Sequence, residues 1–167
     1  MTPALEPRSA ADSFTEMVEV VLPNDANPLG FALGGAVMHL VDIAAAIAAH
    51  RHARTNMVTA AVDGLQFLHP IRIGDLIILR ARVTAAFRTS LEVEVEVFAE
   101  ALASGAGERQ RASIAYLTFV TFGARGERPE VPPLRLDTDD ERRKAHEAAE
   151  RRAARLDAKR ALTSSAT

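Results

Sequence analysis

Asp42 is the one acid in a run too apolar to face water comfortably on any side, GGAVMHLVDIAAAIAAH from Gly34 to His50. An isolated buried carboxylate is too costly to keep ionised, so Asp42 must pair, hydrogen-bond or line a cavity. Two readings follow. Asp42 either salt-bridges an arginine or caps a neighbouring strand, or it is a base or nucleophile aimed into a cavity. Before it lies a polar loop with Asp25, Asn27, Pro28 and Gly30, in which Asn27 can equally be a plain turn residue before proline. Between loop and acid stands Gly34-Gly35, where a helix would begin. Its free N–H groups and positive dipole end suit an oxygen that gains charge in acyl transfer, and glycine leaves a substrate room.

Other chemistries find no matching spacing. His50 and His52 lie two apart, on different faces of a helix, and no HExxH occurs. The glycine pair lacks the context of a dinucleotide fingerprint, no phosphate loop is present, and Ser90 has no nucleophile elbow around it. The chain has no cysteine, so disulfides and thiolate metal sites are ruled out. No metal or redox cofactor is implied.

The elements that must hold these residues follow from periodicity. Glu16 to Leu22 is a short β-favouring segment ended by Pro23-Asn24-Asp25. From Gly34 or Gly35 to about His52, Val37, Leu40, Val41, Ala44, Ile47 and Ala48 recur at helical spacing, and the last turn is basic. Four extended segments succeed it: Met57 to Leu68, Leu76 to Phe87, Leu91 to Val97 and Gln110 to Phe122. The second carries Arg80 and Arg82 on its polar face and the third Glu92, Glu94 and Glu96, so a hairpin at Arg88-Thr89-Ser90 would pair opposite charges across strands. One strand, one helix, then four strands with short connections predict an α+β fold, an antiparallel sheet folded over one alanine-rich helix. Beyond Val131-Pro132-Pro133, Thr138 and Glu141 have capping-box spacing and open a charged helix to about Ala161, read as a solvated or intersubunit element rather than a phosphate-binding arm.

With 167 residues, 48% of them hydrophobic, the chain fits one domain with an appendage on a prior of ~100–200 residues per domain. The expected division is a mobile N-terminus over 1–13, the sheet-and-helix domain over 14–124, and a linker with the charged helix over 125–167. A net charge of -2 gives no global reason to seek nucleic acid or an anionic membrane. No signal peptide opens the chain, and the central helix is interrupted by charge before ~20 clean residues accumulate, so a cytoplasmic protein is expected.

PNDANPLGFALGGAVMHLVDIAAAIAAHRH, then VTAAVDGLQFLHPIRIGD, TSLEVEVEVFAE, YLTFVTF and the tail VPPLRLDTDDERR, resemble the hot-dog-fold acyl-CoA thioesterases, the group of brain acyl-CoA hydrolase and its bacterial relatives. The resemblance covers about Val18 to Arg155 in order. It implies a five-stranded antiparallel sheet wrapped round a central helix, plus a C-terminal helix, and hydrolysis of acyl-CoA to a carboxylic acid and CoA. It further implies that Asp42 is the catalytic carboxylate, that Asn27 places the carbonyl or the water, and that the Gly35 N–H, beside Gly34, holds the thioester oxygen. Two subunits would join sheets edge to edge so that Asn27 and Asp42 meet across the interface, in a dimer or a trimer of dimers. Thr89, Ser90, Arg51 and Arg54, with His50 and His52, are candidate contacts for CoA, and Asp63 matches an acidic position of structural role. The DANPL run also resembles R-specific enoyl-CoA hydratases of the same fold, but Gly30 stands where their histidine would, which removes an acid-base group. A binding module without turnover is the third possibility, and it would have no need to bury Asp42.

Overall fold

A computed structural model of the chain describes residues 5–102 and 107–164. Seven strands and two α-helices follow in the order β1 (Arg8–Ser9), β2 (Thr15–Val20), α1 (Gly34–Ala53), β3 (Met57–Phe67), β4 (Leu76–Ala86), β5 (Ser90–Glu100), β6 (Arg109–Thr121), β7 (Leu134–Arg135) and α2 (Asp139–Ser164). Five of the strands form one sheet in the order β2-β4-β5-β6-β3, antiparallel throughout. The expected hot-dog architecture, a five-stranded sheet curled over a central helix, is the one observed.

Alternation decides which side each strand buries. Leu91, Val93, Val95 and Val97 of β5 and Leu79, Ala81 and Val83 of β4 point to α1 and are almost fully buried with it. Each such side chain stabilises by roughly 1.5–3 kcal/mol on burial for the larger residues. On α1, Ala44, Ala45, Ala48 and Ala49 are wholly buried, and their small side chains let the sheet come close on several sides. The helix ends at Arg54, whose φ of 51° is left-handed and whose N–H donates to the His50 carbonyl.

The second face of the sheet is not left to water. Helix α2 lies across it and buries Glu92 and Glu94 to 2% and 3% exposure. The tail read as a solvated or intersubunit helix is therefore docked on its own sheet. The N-terminal stretch read as mobile is also built in from Arg8 onward. Strand β1 pairs in parallel with β7, Ser9 caps a single 3-10 turn over Ala10–Ser13, and the buried Ser13 hydroxyl accepts the Val83 N–H at 2.9 Å. Residues 1–4 lie outside the described residues. Among the described residues no helix is long and apolar enough to cross a membrane.

Both edges of the sheet stay open among the described residues: β2 pairs only with β4, and Val18 and Val20 along it are exposed. Strand β3 pairs only with β6, and Val58, Val62 and Phe67 along it are 46%, 46% and 51% exposed. Met38 and Ile47 of α1, and Leu33 at its N-cap, are exposed as well.

Candidate active site

Asp42 stands two turns into α1 on the side that faces β3, half-buried, where it lines a cavity of about 360 Å³. Its carboxylate accepts a hydrogen bond from the Thr59 hydroxyl at 2.7 Å. No arginine pairs with it among the described residues. The plain alternative of a salt-bridged structural acid is thus not what the geometry gives, although a strand residue does hold the carboxylate. Thr59 reaches it because β3 carries a register irregularity between Thr59 and Ala61, which re-aims the strand at this point.

Gly35 lines the same cavity, one helical stripe away at i−7 from Asp42. A Cβ there would meet nothing within 4 Å, so the glycine leaves open space beside the helix start. The N-cap, Leu33, has no side-chain oxygen to offer, and the first-turn N–H groups keep their donor capacity. The rest of the wall is Met38, His39, Val41, Val62, Leu65 and Leu117, largely apolar and suited to an acyl chain or thioester. Gly34 faces a different cavity of about 290 Å³, with Phe31, Val37, Phe67 and Ile71, and a Cβ on it would come within 3.4 Å of the Phe67 ring.

Asn27 is not in the Asp42 cavity of its own chain. Its side-chain oxygen accepts the N–H groups of Leu29 and Phe31 at 3.0 and 3.1 Å, which shapes the loop as an Asx turn. The amide nitrogen is left without an acceptor among the described residues. Gly30 closes this turn with φ 81° and donates to the Asn27 carbonyl at 2.9 Å.

The basic end of α1 is engaged in holding the fold. Arg51 donates to the Phe14 carbonyl and to the Thr15 hydroxyl, at 3.0 Å in the latter, and Arg54 forms the left-handed cap. His52 is fully buried, with Nε2 donating to the Pro132 carbonyl at 2.8 Å and Nδ1 unpartnered. Burial pushes its pKa below the ordinary value, against the raising effect of the Pro132 bond; Arg8 also lowers it. Thr89 and Ser90 lie together on the other side of the sheet, in a cavity shared with Arg128, Arg152, Arg155 and Lys159. Asp63 takes a salt bridge from Arg155 at 2.5 Å. Among the described residues no three His, Asp or Glu side chains group as a metal site.

Thr59 is the site residue that sequence reasoning missed. Its only signal was membership of the strand after the helix, since neither its type nor its spacing distinguishes it from its neighbours.

Comparison with known proteins gives a consistent result. Residues 29–106 match the model of the thioesterase superfamily. The cytosolic acyl coenzyme A thioester hydrolase of Mus musculus is 37% identical over 142 residues, 85% of this chain; the chain spans only 37% of that longer protein. The acyl-CoA hydrolase of Staphylococcus aureus, solved with butyryl-CoA and CoA, superposes with a TM-score of 0.83 at 30% identity, covering 96% of this chain and 99% of that one. Structures of that hydrolase also exist with an aspartate, an asparagine or a threonine replaced by alanine. An acyl-CoA thioesterase solved as a hexamer superposes with a TM-score of 0.85 at 34% identity, covering 94% of this chain and 98% of that one.

Proposed function

The chain belongs to the thioesterase superfamily, and from that premise we propose that it is a cytoplasmic acyl-CoA thioester hydrolase. Water adds to the thioester carbonyl, a C–O bond forms, the C–S bond breaks, and the products are a carboxylic acid and CoA. What carries this reading is one cavity that holds the Asp42 carboxylate, its Thr59 anchor and the Gly35 helix start against an apolar wall. Asp42 serves as base or nucleophile. The Gly35 N–H steadies the oxygen as charge develops on it. Thr59 fixes the carboxylate's rotamer, since its donated hydrogen bond takes one oxygen and leaves the other for chemistry.

The loop completes the site from a second subunit. The Asn27 amide is preformed by its Asx turn yet has no acceptor among the described residues, while the open β3 edge and the apolar residues flanking it invite pairing with a second β3. A dimer joined there would bring the loop of one subunit to the cavity of the other, and such dimers could assemble further into a trimer of dimers. The hexameric neighbour supports assembly beyond a single chain. Hydration of an enoyl-CoA is disfavoured, because the position that would carry the histidine is Gly30 at φ 81°, where an L side chain is strained.

The test is release of free thiol from acyl-CoAs of increasing length, with enoyl-CoA as control. The wild-type chain is expected to release thiol and leave the double bond untouched. Asp42→Asn is expected to fold, bind CoA and lose hydrolysis by several orders of magnitude. Unchanged turnover in that variant would sink the assignment.

A further inference from the structure

One polar side chain stands between the helix start and the carboxylate in the Asp42 cavity. Gly35, Met38, His39 and Asp42 follow one another at i, i+3, i+4 and i+7 of α1, and all four line the same space of about 360 Å³. Along the axis His39 is about 6 Å past Gly35 and about 4.5 Å short of Asp42. Of the five histidines in the chain, His39 is the one in that wall. Its side chain is exposed and has no hydrogen-bond or ion-pair partner among the described residues. His52 and His146 are by contrast engaged, with the Pro132 carbonyl and with Glu150.

Hydrolysis of a thioester leaves work for such a group. With the carbonyl oxygen at the Gly35 N–H and Asp42 acting on water or on the carbon, the reacting carbon lies over the stretch of helix between them. Its sulfur departs along the same wall as a thiolate and must gain a proton. Met38 has none to give, and the Thr59 hydroxyl is committed to Asp42 at 2.7 Å. Histidine is the side chain suited to exchanging a proton near neutral pH. The charged groups that face His39 are all acids: Asp42 on its own helix, and Glu19 of β2 and Asp25 of the loop, with which it lines a second cavity of about 150 Å³. No arginine or lysine in either wall competes with it as a donor.

We propose that the imidazolium of His39 delivers a proton to the departing sulfur. Where Asp42 is the base, a water proton passes to its carboxylate as the C–O bond forms; the C–S electron pair goes to sulfur, which takes the imidazolium proton. The proton on Asp42 then restores His39, one turn away. Where Asp42 attacks the carbon instead, the sulfur takes the same proton, and the neutral imidazole recovers one from the water that opens the acyl-aspartate anhydride. Either course consumes one water and one thioester, and yields a carboxylic acid and a thiol with the enzyme unchanged. The inference rests on the acyl-CoA reading and adds a second proton-handling group to that site.

The test is His39→Ala in the full chain, with thiol release measured on the acyl-CoA that the wild-type chain turns over fastest. Alanine at an exposed helix position keeps α1 intact, so the melting temperature and the affinity for CoA are expected to stay as they are. The variant's kcat is expected to fall about a hundredfold with KM little changed, as for a group that acts only in the transition state. Added imidazole is expected to raise that kcat about tenfold, while pyrazole, of the same shape but a far weaker base, leaves it where it was. Undiminished kcat in His39→Ala overturns the proposal. So does a loss confined to KM, a loss that imidazole does not relieve, or one that pyrazole relieves equally, since each assigns the side chain a part in binding or packing instead of proton transfer. The wild-type chain separates this from the thioesterase reading. Its failure to release thiol from any acyl-CoA removes both; its turnover, matched by His39→Ala, keeps the enzyme and removes only the role of His39.

Discussion

Two polar side chains within α1 are held in opposite ways. Asp42 has one short bond, to Thr59, and an open cavity beyond it. His52 is fully buried, with one bond to the Pro132 carbonyl and, among the described residues, an unpartnered Nδ1. A charged imidazole is disfavoured there, chiefly by burial and also by Arg8, so its folded pKa lies below the ordinary value of about 6.5. Above that value both folded and unfolded chains carry it neutral, and stability is intact. As pH falls below about 6.5 the unfolded chain takes up a proton that the folded chain refuses, and stability is lost until the folded pKa is passed. The melting temperature is therefore expected to fall as pH is lowered through that window, and to fall less in His52→Gln, whose amide can still donate to Pro132. Equal pH slopes in the two proteins would contradict this. Asp42 was legible in the sequence because a charge inside an apolar run demands a reason. Thr59 was not, because a threonine in a strand is ordinary and its role depends on an irregularity of register.

At the scale of elements, β5 and α2 explain each other. The Val-Glu alternation of β5 correctly reads as one face inward and one outward, and the Arg82–Glu94 pair is present at 3.5 Å. Arg80 instead pairs with Glu16, and Glu96 with Arg111, so the hairpin's charges are only partly matched to each other. What the alternation could not show is that the outer acids are buried. Arg151 donates to both oxygens of Glu92 at 2.8 and 2.9 Å, the Thr84 hydroxyl adds a third bond, and the guanidinium lies 3.7 Å from the Tyr116 ring centre. The docking face of α2 consists of Lys144, Ala148, Arg151 and Arg155, too small and charged to read as a hydrophobic stripe. Its specificity lies in ion pairs that sequence periodicity does not weigh. Because the pair is mostly buried, Arg151→Ala is expected to leave Glu92 uncompensated and to cost about 3 kcal/mol in urea unfolding. Adding Glu92→Gln should recover part of that loss, since no charge then stays behind; a double variant as unstable as the single would contradict the account.

For the whole molecule, the open edge of β3 bears directly on the chemistry. A single chain has the carboxylate and the helix start in one cavity and keeps the Asn27 amide elsewhere; on the proposed role of Asn27, that site lacks one donor. If two chains pair through β3 as a symmetric dimer, each cavity uses Asp42 from one subunit and Asn27 from the other. That arrangement has a consequence that no single-chain site shares. Asn27→Ala and Asp42→Asn proteins are each expected to be nearly inactive alone. When the two are unfolded together and refolded as an equal mixture, half the dimers are hybrids, and each hybrid has one cavity with both substitutions and one with neither. Activity is therefore expected to recover to about a quarter of wild type, as random association of two kinds of subunit in a symmetric dimer requires. A mixture no more active than its components would place both residues' work within one chain, and would leave the exposed Val58, Val62 and Phe67 without a catalytic purpose.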